Sequence, residues 1–589
     1  MTISNDAWGE GDGDGPASLK ARAAAAARAG LGWFAPEGEI AWGRLSLALF
    51  LGAALVILAT FRSYGVTWDE DVHNWYGVFV LDYYTSAFKD VRCLQWLNLY
   101  NYGAAFDMIA AALNVFSPIG TYETRHLLNG AVGLFGLFGC WKVARALGTP
   151  RAAFLAALFL LLTPNYYGQM FNNPKDIPFA TASVWATYYM IRLVPALPRP
   201  SLKLVAKLGI AIGMALGVRV GGLLLVCYLG LLLTLFVLWR AAETRRPAVV
   251  VADGFATFYR VLLPAVLVAY PVMLLFWPWA QAHPIEHPLR SLAFFTHETF
   301  PFRTLFDGHY VPAWDLPWTY LPTYIVLALP ELVLVLATLA LPMGLVALRR
   351  VPCGARRNAI LAHFMLGFGI AFPVGYAITV KAVLFDGMRH FIFVLPLIAC
   401  AAALVADRLV DLLAGFAYRR AIYGAVALYG LAHVSVMAML HPDQYVYYNG
   451  FVGGVEGAAG RFKLDYWANS YAEAVEGLEN YVQAQYGADF PDHDFTVAVC
   501  GPPISADYFF PNNFVYSTDR DNADFFIAFT KDDCHKSLPG KEIVRVERAG
   551  ALLSVVLDRR EINAARLRPP AGAYAHSRFG NFAVGSELE

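Results

Sequence analysis

Residues 220–239 read VGGLLLVCYLGLLLTLFVLW, twenty positions without a charge, closed on the far side by Arg240. At ~1.5 Å of rise per residue such a run makes a helix about 30 Å long, the thickness of a bilayer's hydrocarbon core. Runs of similar texture recur near 45–61, 126–147, 151–164, 177–194, 204–218, 261–277, 321–348, 359–380, 389–406 and 421–440. With 220–239 they make eleven candidate spans, several shorter than the ~20 residues that cross comfortably. The chain is 58% hydrophobic and 15% charged, so it reads as a polytopic α-helical membrane protein. Its 45 basic and 45 acidic residues cancel, which gives no reason to expect a nucleic-acid partner.

Charge placement then sets the expected topology. The connections at 142–151, 192–203, 240–246, 349–357 and 408–420 are rich in Lys and Arg, as cytoplasmic loops are. All five share one parity if the N-terminus is inside, and an odd span count then puts the C-terminus outside. Three domains are expected. Residues 1–41 form a cytoplasmic, disordered tail, acidic and Gly-rich before an Ala/Arg stretch from Lys20 to Arg28 that suits a short surface helix. Residues 42–440 form the membrane domain, with a long external loop at 62–125, and residues 441–589 form an external α/β module. That module has a helical stretch from Ser470 to Tyr486 and β-like runs at Phe495–Cys500, Asp524–Thr530 and Ile543–Leu557. Cys500 and Cys534 would share its oxidising compartment, as a disulfide or as two free thiols. Cys140, Cys227 and Cys400 sit within spans as small apolar fillers.

Three acids, Asp69, Glu70 and Asp71, follow Trp68 just beyond the first span. At mid-bilayer each would cost about 2.5–3.5 kcal/mol, so the cluster either lies in water or has partners. Partners are available at the same outer ends: Lys175, Arg219, Lys381, Arg389 and His390. Any one of these could instead snorkel to headgroups, although cations on the outer side run against the basic-inside bias. Arg is suited to bidentate phosphate contacts at that depth. Asp107 lies on an amphipathic stretch, Tyr102 to Phe116, either in a pocket or on the wet face of an interfacial helix. Asp176 closes an Asn172-Asn173-Pro174-Lys175 turn, where a carboxylate also favours the start of the following helix. His283, His287, His297 and His309 share one outer loop without zinc spacing, so a divalent metal has no ligand pattern behind it.

Together these features resemble the family 39 type of GT-C glycosyltransferase, a group that includes protein O-mannosyltransferases, aminoarabinose transferases of lipid A and bacterial galacturonosyltransferase-like proteins. The resemblance spans roughly residues 43–440 and is strongest at Thr67-Trp68-Asp69-Glu70 and Phe171 to Pro178, with Gly387-Met388-Arg389-His390 before a late span. It implies a hexosyl or pentosyl transferase of a bacterial inner membrane, N-terminus cytoplasmic and C-terminus periplasmic. Such an enzyme moves a monosaccharide, with inversion, from a polyprenyl-phosphate donor to a glycan, lipid or protein acceptor at the outer face. Asp69 matches the family's catalytic Asp and is expected to act as base. Glu70 would orient it, raise its pKa, or contact acceptor or metal, unless it is a solvated loop acid. Arg219, Arg389, His390, Lys175 and Lys381 would hold the donor phosphate, with Asp107 and Asp176 as pocket carboxylates. Two other classes compete: a transporter or flippase of lipid-linked glycans, and a non-catalytic membrane scaffold. A cavity shared by Asp69, Arg219 and Arg389 favours the enzyme, an axial pathway favours transport, and dispersal favours the scaffold.

Overall fold

Small residues decide how closely these helices approach. The structure, a computed structural model, describes residues 41–297 and 302–567; the expected tail with its Ala/Arg helix lies outside the described residues. The main helices are α1 (Trp42–Thr60), α2 (Glu70–Thr85), α3 (Ala105–Asn114), α4 (Thr121–Leu147), α5 (Pro150–Leu161), α6 (Pro164–Asn172) and α7 (Asp176–Leu193). They continue as α8 (Leu202–Leu216), α9 (Leu223–Thr244), α10 (Leu263–Leu275), α11 (Cys353–Thr379), α12 (Leu395–Leu412), α13 (Arg419–Met439) and α14 (Tyr471–Tyr486). Helices α8 and α10 close on Gly209 and Gly213, one turn apart. A Cβ there would come within 2.7 Å of the Ala265 carbonyl and 2.6 Å of the Ala269 carbonyl. Polar side chains tie α4 to α7 within the apolar core: Thr181 donates to the Val132 carbonyl at 3.0 Å and Trp185 to that of Phe135 at 3.1 Å.

The chain is an integral membrane protein, but the count of eleven spans is not confirmed. Helix lies at all eleven places, yet among the described residues seven stretches are long and apolar enough to cross, or eight if the bent pair Glu331–Thr338 and Ala340–Arg349 is one span. The shortfall has local causes. Helices α5 and α8 have 12 and 15 residues, about 18 and 22 Å of rise. Helix α7 reaches 18 residues but carries Asp176, Thr181, Ser183, Thr187 and Arg192. These shorter helices are largely buried by their neighbours rather than left to face lipid.

Beyond the membrane region, a hairpin of β1 (Arg303–Phe306) and β2 (His309–Pro312) stands beside a five-stranded sheet. The sheet comprises β3 (Phe495–Val499), β4 (Phe514–Tyr516), β5 (Phe525–Phe529), β6 (Lys541–Arg548) and β7 (Ala551–Asp558), in the order β4-β3-β5-β7-β6. Strand β3 runs parallel to β4 and β5, and β7 runs antiparallel to β5 and β6. The single run expected from Ile543 to Leu557 is thus a hairpin, turned on Ala549 and Gly550, both at positive φ. With α14 the sheet encloses its own apolar core from Ala468 onward, whereas Tyr445 to Trp467 pack into the membrane-region core. Buried polar bonds dock the two bodies. Gly65 N–H and the Asn172 amide both donate to Asn469 Oδ1, at 2.8 and 3.1 Å, and the Asn469 amide donates to Asp443 at 2.6 Å.

A disulfide joins Cys500, at the end of β3, to Cys534, with Cα atoms 6.4 Å apart. Closing a loop of that length contributes about 3–4 kcal/mol in the chain-entropy model. Peptide mapping of protein purified without reductant is expected to find these two cysteines linked and Cys93, Cys140, Cys227, Cys353 and Cys400 alkylatable after unfolding. Cys500→Ala together with Cys534→Ala should lower the unfolding temperature of the full-length protein.

Candidate functional site

A cavity of about 900 Å³ opens where α2 and α7 begin, α8 ends and the segment leading into α12 begins. Its apolar floor includes Phe179, Leu224 and Tyr376, and its roof includes Lys463, Tyr466, Trp467 and Lys531 from the chain after α13. Asp69 sits on the wall immediately before α2. That position commonly spends its side chain capping the helix, but the Asp69 carboxylate makes no such bond. Glu70 fastens the turn instead: its Oε2 accepts from the Thr67 N–H at 2.8 Å and the Thr67 hydroxyl at 3.0 Å, and its Oε1 lies 3.0 Å from His126 Nε2. Glu70 is buried and does not line the cavity, so it holds the turn from behind and is no solvated acid.

Freed from capping, Asp69 meets two cations. Its Oδ2 lies 3.2 Å from Arg389 Nη1 and 3.4 Å from Lys175 Nζ. Burial alone would push this carboxyl up, but the charges of Lys175 and Arg389 outweigh it and hold it well below the usual carboxylate range. Lys175 is aimed by the turn before α7, where Asn173 Oδ1 accepts the N–H of Lys175 at 3.3 Å and of Asp176 at 2.9 Å. The Asn/Pro turn therefore both caps α7 and presents a cation. Arg219 pairs with buried Asp176 at 2.5 Å, and the Tyr102 ring lies 5.3 Å from Lys175 and 5.8 Å from Arg219. Arg389 lies over the rings of Phe385 and Trp467 at 4.8 and 5.4 Å, which fixes its plane.

Five of the nine expected site residues face the cavity: Asp69, Lys175, Arg219, Arg389 and His390. Asp176 stands one layer behind through Arg219. Asp107 is not on a wet helix face: it is buried, accepting from Arg125 at 2.6 Å and bonded to His73 Nδ1 at 2.8 Å. Lys381 is not a pocket cation either. Its side chain is 70% exposed, beside an equally exposed Asp315.

Sequence reasoning missed His73, Asp386, Lys463 and Lys531, all on the cavity wall. His73 carried a signal, since it lies four residues after Asp69 on the same helix face. Burial pushes its pKa down against the pull of Asp107, leaving a neutral ring. With Nδ1–H donated to Asp107, Nε2 carries the lone pair and has no hydrogen-bond partner among the described residues. No group of three or more His, Cys, Asp or Glu is placed to hold a metal ion among the described residues. His287 stacks on Trp279 at 3.9 Å instead.

Residues 110–263 match the family described as dolichyl-phosphate-mannose-protein mannosyltransferase. Among solved structures, ArnT from Cupriavidus metallidurans, bound to undecaprenyl phosphate, is similar at a TM-score of 0.46 and 15% identity, over 87% of this chain and 97% of that one. The Archaeoglobus fulgidus oligosaccharyltransferase in the apo form gives 0.43 and 13%, over 77% of this chain and 62% of that one. No curated protein matches. The chain resembles a GT-C glycosyltransferase of the family 39 type, as its motifs imply.

The buried His73, Asp107 and Arg125 group yields a stability prediction. Asp107→Ala strands the Arg125 guanidinium, 1% exposed, without its carboxylate, a loss of about 3–5 kcal/mol. Thermal unfolding in detergent should show a large drop for Asp107→Ala and a smaller one for Asp107→Asn, which keeps the shape.

Proposed function

We propose that this protein transfers a monosaccharide from a polyprenyl-phosphate donor to an acceptor hydroxyl at the outer face of a bacterial inner membrane, with inversion at the anomeric carbon. On this reading the N-terminus is cytoplasmic, residues 42–440 hold the chemistry, and residues 441–589 form an extracytoplasmic domain. The moved group is a hexose or pentose, and the acceptor a glycan, lipid or protein.

The observation that carries the proposal is the sharing of one cavity by Asp69, Lys175, Arg219 and Arg389 at helix ends of common side. An acceptor oxygen attacks the anomeric carbon as the bond to the donor phosphate breaks. Asp69 takes the acceptor's proton, and the cations receive the charge that develops on the departing phosphate. The phosphate competes with Asp69 for Lys175 and Arg389. Drawing them away strengthens the carboxylate as a base only once donor is in place. The cations that face the cavity cluster at this one end rather than along the helices, which supports transfer over a charged transport pathway.

Envelope glycans compared by mass spectrometry with and without the protein identify the sugar, which then serves in an assay of purified enzyme. Asp69→Asn should lower turnover by about 10² to 10⁴ while membrane insertion is unchanged. Near-normal turnover in that variant removes Asp69 as the base. Arg389→Ala and Arg219→Ala should impair transfer far more than Arg349→Ala, a change on the opposite side; equal effects would indicate general anchoring.

The depressed Asp69 pKa fixes a pH profile. The group is ionised in the free enzyme throughout the neutral and mildly acidic range, so kcat/KM should show no acid limb from this group between about pH 7 and 5. Lys175→Met removes one of the charges that depress it, and should move the limb upward. An unmoved limb would exclude Lys175 as the tuning charge.

A further inference from the structure

The cavity holds more positive charge than a donor phosphate requires. Among the described residues six cations line it, namely Lys175, Arg219, Arg303, Arg389, Lys463 and Lys531. Asp69, Asp386 and Asp532 also line it, and Asp176 lies behind on Arg219. Six against four leaves a surplus of two, whereas a sugar-linked phosphodiester brings one negative charge.

One unit of that surplus lies with Asp69, where Lys175, Arg219 and Arg389 face Asp69 and Asp176; the other lies where Arg303, Lys463 and Lys531 face Asp386 and Asp532. Lys463 Nζ lies 3.2 Å from Asp386 and 4.0 Å from Asp532, with both Lys463 and Asp386 nearly buried. Lys531 has no carboxylate within ion-pair distance among the described residues. Its ammonium donates to the Tyr466 carbonyl at 3.3 Å and lies 4.7 Å from the centre of the Trp68 ring, next to Asp69. Its charge is thus shared between the Tyr466 carbonyl, the Trp68 ring and the cavity it lines. The segment that carries it is firmly held: Lys531 begins the short turn Lys531–Lys536, pinned to the sheet by Cys534 and its disulfide to Cys500.

Resting on the transfer reading of this cavity, we propose that Lys531 and Lys463 form a second anion site, which takes a carboxylate or phosphate carried by the acceptor or by the sugar, separate from the donor phosphate. The external domain thereby selects a charged substrate, and Trp68 spaces the second anion from the reacting centre.

Calorimetric titration of full-length protein in phosphatidylcholine nanodiscs tests this with glucose 1-phosphate, glucuronic acid 1-phosphate and inorganic phosphate. If the anion belongs to the sugar, glucuronic acid 1-phosphate binds about tenfold more tightly than glucose 1-phosphate. If it belongs to the acceptor, the two bind alike and inorganic phosphate still binds when glucose 1-phosphate is saturating. In either case Lys531→Gln should weaken the second anion about tenfold or more, Lys531→Arg should preserve it, and Arg389→Gln should weaken the first. A single binding event with no gap between the sugar phosphates, or a second event that survives Lys531→Gln, overturns the proposal while leaving the donor reading intact. A Lys531-dependent event without an Arg389-dependent one does the reverse, and no binding of any probe removes both.

Discussion

An ionised carboxylate at the edge of a bilayer must be neutralised locally, and in this protein that requirement draws together segments far apart in sequence. Asp69 stands after the first membrane helix, Lys175 before the helix at 176–193, and Arg389 at the approach to the helix at 395–412. At ~4 Å and an effective dielectric near 20, each such pair is worth on the order of 4 kcal/mol before desolvation is subtracted. The second layer follows the same rule: Asp176 neutralises Arg219, and Asp107 neutralises Arg125 while fixing the His73 tautomer. Charges cannot be removed singly from such an arrangement, because each partner would be left in a medium of low polarity.

On the proposed transfer reading, the cluster also explains how a strongly acidic carboxyl would serve as a base. In the free protein the proton affinity of Asp69 is suppressed by the cations that a phosphate would attract. Under that proposal ground-state pairing and catalytic strength are opposed, and the donor decides between them.

Much of this was legible in the sequence, for reasons of range. Apolar runs are local, and all eleven are helical; whether each crosses depends on neighbours, which is why helices of 12 and 15 residues leave the count of eleven unconfirmed. The acids after Trp68 and the cations at helix ends were legible because helix parity places them on one side. Lys381 and Arg389 are only eight residues apart, yet left-handed residues at Lys381, Asp386 and Gly387 turn the chain between them, so one points to solvent and the other into the cavity. The amphipathic face with Asp107 suggested water, but its polar side is covered by His73 and Arg125. Nothing local to Lys463 or Lys531 marks them, since their place follows from how the C-terminal domain docks through Asn469 and Asp443.

That docking has a consequence for biogenesis. Ribosomes deliver the chain from its N-terminus, so the floor and walls are inserted before the roof exists. Lys531 emerges more than 450 residues after Asp69, and its turn is tied to the end of β3 by the Cys500–Cys534 disulfide. A nascent or C-terminally clipped protein can therefore be fully inserted and still have an open, incomplete cavity. Closure of the cavity therefore waits on the folding of the last domain.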